Sequence, residues 1–236
     1  MNFPDSTYYD QSLEKSESKY YSLNSFDTQF NNSNTCSESN NKNDIKLDRD
    51  SSFSLLHMNA RSLNKNFESM ELLLHSLDYF PFSVIGISET WLHNNSPSIF
   101  NLQNYTMYRS DRQHNHGGGV ALYTHNNINS KLRPDLSIDG SESMFLEIIN
   151  ENNKNTIVGV IYRPPKNCID SFLDNFDQFL HKISEENKHV YLMGDYNIDL
   201  LAKNEIHSTK LITSLSSFAF YPHIDKPTRI TNTCSS

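Results

Sequence analysis

Apolar residues over most of the chain recur with the periods of β-strands and α-helices. Short apolar runs between polar residues are typical of buried strands, whereas apolar positions three or four residues apart are typical of one helix face. From residue 53 onward the two patterns follow one another along the chain. They predict strands at 53–58, 82–88, 105–109, 120–124, 144–149, 156–163 and 189–193.

Three segments between these strands carry the helical pattern instead. The first follows the first strand, the second covers 169–187, and the third covers 207–219. Neighbouring strands interrupted by a few helices favour a mixed α/β fold built in layers. The apolar positions of the three helices are Phe67, Met70, Leu74 and Leu77, then Phe172, Phe176, Leu180 and Ile183, then Leu211, Leu215 and Phe218.

The first 52 residues have neither period. Polar tracts rich in Asn and Ser occupy 31–34 and 37–43, and acidic residues outnumber basic ones throughout this segment. A segment with so few apolar residues does not bury enough surface to offset the entropy lost on ordering. We therefore expect residues 1–52 to be a disordered tail and residues 53–236 to form one domain.

The charge and the cysteines narrow the possible functions. The chain has 20 Lys and Arg against 28 Asp and Glu, a net charge of -8, which does not favour tight binding to nucleic acid. Its 3 cysteines are far apart and form no CxxC pair, so a disulfide scaffold and a zinc ribbon are not expected. A reducing compartment is the expectation that follows.

The chain also has no signal for export or membrane insertion. It opens Met1-Asn2-Phe3-Pro4-Asp5, without the basic start and apolar stretch of a secretory signal. No apolar run reaches the roughly 18 residues of a membrane-spanning helix. We therefore expect an intracellular protein, in the nucleus or the cytoplasm.

Polar residues that follow apolar strands are the candidates for chemistry, because a strand end holds a side chain rigidly at the edge of a sheet. Four predicted strands end in this way. The residues are Asn59, Glu89, Tyr162 with Arg163, and Asp195 with Asn197.

Each of these residues has a common structural explanation when it is taken alone. Asn59 could cap a turn, and Glu89 could be a solvated loop acid. Tyr162 could be an aromatic residue at the edge of the core, and Asp195 with Asn197 could form an Asx turn. Independent capping does not explain why four apolar strands each deliver such a group.

The ordered set resembles the endonuclease/exonuclease/phosphatase superfamily, and in particular the endonuclease domain of LINE-type (non-LTR) retrotransposon polyproteins. The resemblance runs from about residue 53 to the end of the chain. Its motifs are Asn59-Ala-Arg-Ser-Leu, Ser88-Glu-Thr-Trp-Leu, Asp111-Arg112 before Gly117-Gly-Gly, Gly159-Val-Ile-Tyr-Arg-Pro-Pro, Gly194-Asp-Tyr-Asn and Pro227-Thr-Arg-Ile-Thr.

The resemblance implies a four-layer α/β/β/α sandwich of the DNase-I-like type and a metal-dependent phosphodiester hydrolase. Glu89 and Asn59 would bind Mg²⁺ or Mn²⁺, and Asn59 would also take part in catalysis. Tyr162 would donate to a phosphate oxygen, and Asp195 would orient or deprotonate the attacking water with the help of Asn197. Arg163 and Thr228 would contact the substrate phosphate.

The sequence also departs from the family. Family members have an Ile-Asp strand after Pro-Thr-Arg and then a Ser-Asp-His motif. Residues 1–236 contain no match to either motif. The resemblance then implies a truncated copy that lacks the last strands of its sandwich and has weak or no activity.

Two alternatives to a DNA-nicking enzyme stay open. One is an inactive fragment or interaction protein that keeps the fold, and the other is a phosphatase of the same superfamily. If the chain is active, its partner is DNA, which an acidic protein would bind weakly and in a salt-sensitive way. We infer no membrane partner and no obligate protein partner.

Overall fold

The computed structural model describes residues 19–24, 53–77, 82–97, 99–112, 117–151, 153–202, 205–223 and 228. Within these ranges no helix has the length and apolar composition needed to cross a membrane. The elements, in chain order, are β1 Lys19–Asn24, β2 Ser54–Asn59, α1 Leu63–Ser76, β3 Val84–Ser88, β4 Tyr105–Ser110, β5 Val120–His125, β6 Ser130–Leu132, β7 Glu142–Ile148, β8 Thr156–Tyr162, α2 Ile169–Ser184, β9 His189–Asp195 and α3 Ile206–Ser217.

The strands form two sheets. The first has the order β1-β2-β3-β5-β4 and the second the order β6-β7-β8-β9. In the first sheet β2 and β3 are parallel, and in the second β8 and β9 are parallel. The crossovers between these parallel pairs contain α1 and α2, as parallel pairing requires.

The two sheets pack face to face, with helices on both outer faces. The layer between them contains Leu55 and Val84 from the first sheet and Val158 and Val160 from the second. Helix α1 packs on the outer face of the first sheet, and α2 and α3 pack on the outer face of the second. The predicted four-layer α/β/β/α sandwich is therefore confirmed.

Six residues of the segment that we expect to be a disordered tail lie in a strand. Strand β1 (Lys19–Asn24) pairs in parallel with β2, so that Asn24 lies opposite Asn59. The physical reason is the free edge of β2, whose backbone groups are paired by the added strand. The rest of 1–52 lies outside the described residues, and the boundary at residue 52 stays a prediction.

The absence of the last strands also stays a prediction. Residues 224–227 and 229–236 lie outside the described part of the chain. Of the Pro227-Thr-Arg motif, only Thr228 is described.

Candidate functional site

Four of the predicted site residues meet at one end of the sandwich. Asn59 ends β2, Tyr162 ends β8 and Asp195 ends β9, while Glu89 directly follows β3. The parallel pairs align these ends within each sheet, because Asn59 lies opposite Ser88 and Tyr162 lies opposite Asp195. Packing of one sheet on the other then brings the two edges together.

The side-chain amide of Asn59 joins the two carboxylates. Its Nδ2 donates to Oε1 of Glu89 at 2.7 Å and to Oδ2 of Asp195 at 2.9 Å. Its Oδ1 accepts a bond from the backbone N–H of Arg61 at 3.1 Å. Both amide hydrogens are thus used on carboxylates, and this fixes which way the amide points.

Asp195 is placed by the glycine before it and by the turn after it. Gly194 has φ 148°, and a Cβ at this position would overlap the backbone of Ile161 on β8. Only glycine therefore allows β9 to reach this close to β8. After the strand, Oδ1 of Asp195 accepts the backbone N–H of Asn197 at 3.0 Å.

Asn197 lies beside Asp195 but its amide nitrogen bonds to the protein. It adopts φ 50°, and its Nδ2 donates to the carbonyl oxygen of Arg163 at 2.9 Å. The residue itself is exposed. A contact of Asn197 with water or phosphate therefore stays a proposal.

Tyr162 supplies a protonated phenol next to the carboxylates. Only 5% of the residue is exposed. Burial, reinforced by the negative charges of Glu89 and Asp195, raises the pKa of Tyr162 to about 12. The hydroxyl therefore keeps its proton at neutral pH and is a hydrogen-bond donor there.

Arg163 is buried and bonds to backbone groups of the protein. It is 2% exposed, and its guanidinium donates to the carbonyl oxygens of Tyr196, Asn197, Pro164 and Asn167. Four of its five N–H donors are thereby used on backbone groups. Arg163 thus holds the loops after β8 and β9, and its contact with a substrate phosphate stays a prediction.

Thr228 and the arginines near the site add little to the described geometry. The neighbours of Thr228 lie outside the described residues, and its phosphate contact stays a prediction. Arg109 pairs with Asp111, and Arg112 pairs with Glu142. Arg61 is exposed directly after Asn59 and Ala60.

Sequence reasoning missed three residues around the site. His57 lies two positions before Asn59 on the same face of β2, and its Nε2 is 3.3 Å from Oγ of Ser88. The indole N–H of Trp91 donates to Oε2 of Glu89 at 3.2 Å. Glu142, opposite Tyr162 on β7, accepts the backbone N–H of Gly119. Strand alternation could have placed His57, whereas nothing local predicts the other two contacts.

The donor set suits a hard divalent cation. Glu89 and Asp195 each lie within hydrogen-bond distance of the same amide nitrogen, so two carboxylates converge on one point. Among the described residues no group of three or more His, Cys, Asp or Glu forms a metal-binding cluster. Mg²⁺ is commonly held by one or two carboxylates and keeps water and phosphate as its other ligands. The residues present therefore fit Mg²⁺ or Mn²⁺.

Comparisons with known proteins identify a family and a fold for this chain. The model of the endonuclease/exonuclease/phosphatase family matches residues 56–227. The fold is similar to the endonuclease domain of TRAS1, a telomere-specific non-LTR retrotransposon, with a TM-score of 0.55 and 12% identity over 77% of this chain and 80% of that one. A search among curated proteins found no match.

Two further solved structures resemble the chain more distantly. The AP endonuclease LMAP from Leishmania major has a TM-score of 0.49 and 13% identity, over 70% of this chain and 65% of that one. The 3' phosphatase NExo from Neisseria, bound to a product DNA hairpin, has a TM-score of 0.47 and 16% identity, over 70% of each chain.

Proposed function

The chain belongs to the endonuclease/exonuclease/phosphatase family, whose sequence model covers residues 56–227, and we propose that it is a divalent-metal-dependent hydrolase that nicks DNA. The family as a whole acts on phosphate esters and generally depends on divalent metals. The finer statement, that the substrate is DNA and that the enzyme is of the retrotransposon type, is our proposal.

The observation that carries the proposal is the contact of Asn59 with both Glu89 and Asp195. The three residues come from three strands of two sheets, and Asn59 and Asp195 are 136 positions apart in sequence. A turn cap or an Asx turn needs only local partners. A metal-assisted hydrolase requires carboxylates that converge from distant parts of the sequence. A turn cap or an Asx turn does not explain such a convergence.

Each side chain then has a role that its chemistry allows. Glu89 would hold the metal with Asn59 beside it, and the metal would supply positive charge that polarises the phosphoryl oxygen. Tyr162 would donate its hydroxyl to a phosphate oxygen as negative charge grows there. Asp195 would accept a bond from the attacking water and orient it for attack.

Charge around the site supports weak binding of DNA. The exposed Arg61 follows the site residue Asn59 closely, but Arg109 and Arg112 are paired with acids. The net charge of -8 opposes a polyanion at long range. We therefore expect few phosphate contacts and affinity that falls as salt is added.

The test measures metal binding and DNA cutting together. Mn²⁺ binding is followed by isothermal titration, and nicking of supercoiled plasmid is followed with the protein in excess over DNA. Glu89→Gln removes the proposed metal ligand, and we expect it to abolish detectable Mn²⁺ binding and any nicking. Asp195→Asn removes the acid that would orient the water, and we expect it to abolish nicking. The matched control is Glu151→Gln, an exposed carboxylate after the far end of β7, which should behave as the wild type.

Three outcomes would overturn parts of the proposal. Mn²⁺ binding that survives Glu89→Gln would place the metal elsewhere. Cleavage of a small phosphomonoester without cutting of DNA would identify a phosphatase. A wild-type protein that binds no Mn²⁺ and cleaves neither substrate would be the inactive form of the fold.

A further inference from the structure

The loop that carries Glu89 has an unusual backbone. Glu89 has φ 54° and Trp91 has φ 55°, both in the left-handed region that few residues other than glycine adopt. Such a conformation persists only where its surroundings hold it. The surroundings of this loop therefore determine where the Glu89 carboxylate points.

The glycine segment 117–119 holds the loop through backbone bonds. The N–H of Thr90 donates to the carbonyl oxygen of Gly119 at 3.2 Å, and the N–H of Trp91 donates to that of Gly118 at 2.8 Å. Gly119 has φ 83°, and a Cβ there would overlap the hydroxyl of the fully buried Thr90. A side chain at this position would displace the loop.

Each carboxylate oxygen of Glu89 then receives its own donor. Oε1 accepts from Nδ2 of Asn59 at 2.7 Å, and Oε2 accepts from Nε1 of Trp91 at 3.2 Å. Asn59 and Trp91 both act as N–H donors here, and the indole has no lone pair to offer a metal. Hydrogen bonds of this kind orient ligating carboxylates and tune their affinity for a metal.

We propose that Trp91 is a positioning residue, which sets the orientation of the Glu89 carboxylate for divalent metal binding through its indole N–H. The inference rests on the proposed function, because it assigns Trp91 a role at that same metal site. It predicts that loss of the N–H weakens metal binding even when the fold and Glu89 are intact.

The single tryptophan of the chain makes the test direct. In a ¹⁵N-labelled sample the indole gives one N–H resonance, which belongs to Trp91. We expect Mg²⁺ to shift this resonance in the wild type, and we expect Glu89→Gln to move it without metal and to remove the response to Mg²⁺.

Mn²⁺ affinity from isothermal titration supplies the second measurement. Trp91→Phe keeps an aromatic ring and removes the donor, and we expect about tenfold to a hundredfold weaker binding, the usual effect of such outer contacts. The matched control is Ile148→Val, which trims a buried side chain at the opposite end of β7 and should leave the affinity unchanged.

The outcomes separate this inference from the proposed function. Wild-type affinity in Trp91→Phe, with binding still lost in Glu89→Gln, would overturn the positioning role and leave the metal site in place. Absence of any Glu89-dependent binding in the wild type would refute the metal site, and the positioning role with it. If Trp91→Phe does not fold, an indole resonance indifferent to both Mg²⁺ and Glu89→Gln would refute the role.

Discussion

His57 is a buried titratable residue directly below the proposed site. It is 5% exposed, and Oγ of the fully buried Ser88 is within hydrogen-bond distance of its ring. Burial lowers the pKa of His57 from 6.5 to about 4, although the charge of Asp195 acts in the opposite direction. The folded protein therefore contains a neutral imidazole over most of the acidic range.

This burial makes stability depend on pH. Between pH 6.5 and about 4 the unfolded chain binds a proton at His57 that the folded protein does not bind. Stability therefore rises with pH in this window and falls on acidification, by about 2–4 kcal/mol in all. Urea unfolding at pH 4.5, 5.5, 6.5 and 7.5 measures the slope, which we expect His57→Gln to flatten.

An exposed histidine provides the comparison for that experiment. The side chain of His181 on α2 is 68% exposed, so His181→Gln should leave the slope as it is in the wild type. An equal slope in the wild type and His57→Gln would show that His57 is not the group responsible.

At the scale of elements, an ion-pair network joins strands and loops at the end of the sandwich opposite the site. Glu147 on β7 is 3% exposed at its side chain and pairs with Nη1 of Arg133 at 3.0 Å and with Nζ of Lys188 at 2.9 Å. Arg133 also pairs with Glu186 after α2 at 2.7 Å. The network thus ties the end of β6, strand β7 and the loop before β9 together.

The pKa of Glu147 shows which effect dominates there. Burial by itself would raise it, but hydrogen bonds from Lys188, Asn155 and Lys131 outweigh burial and hold the pKa at about 2. The carboxylate is therefore ionised in the folded protein at every pH above that value. Its negative charge balances the positive charges of its partners.

We expect Glu147→Gln to lower the free energy of unfolding by about 2–3 kcal/mol, because it removes charge-assisted hydrogen bonds from one of the two carboxylates, Glu147 and Glu186, that Arg133 and Lys188 share. Urea unfolding at pH 7 measures the change. Glu185→Gln removes a side chain that is 70% exposed and should change stability by less than about 0.5 kcal/mol. Equal stability of the two variants would mean that the network contributes nothing.

At the scale of the whole molecule, the proposed site and the ion-pair network lie at opposite ends of the same sandwich. The site draws residues from both sheets, so its geometry depends on how the sheets pack. The described part of the chain supplies the metal ligands and the water-orienting acid of the proposal. The Ile-Asp and Ser-Asp-His elements of the family have no match in these 236 residues.

The sequence alone determined the elements and the residue types at their ends. Strands β2, β3, β4, β5, β7, β8 and β9 and the three described helices follow from local apolar periods. Asn59, Glu89, Tyr162 and Asp195 follow from the rule that strand ends present side chains at a sheet edge. Both signals are local, because the apolar positions within a strand or helix indicate which of its faces is buried.

Only the tertiary structure decided which of these groups touch. The pairing of Asn59 with Asp195 depends on the order of strands in two sheets and on their packing, which no window of sequence contains. The same holds for β1, whose residues have weak local signals and gain a partner only at the edge of β2. Arg163 has the residue type of a phosphate contact, yet the loops that fold over it turn its donors toward backbone carbonyls. Local patterns determine which face of an element is buried. Contacts between elements that are distant in sequence are fixed by packing, and the proposed site consists of such contacts.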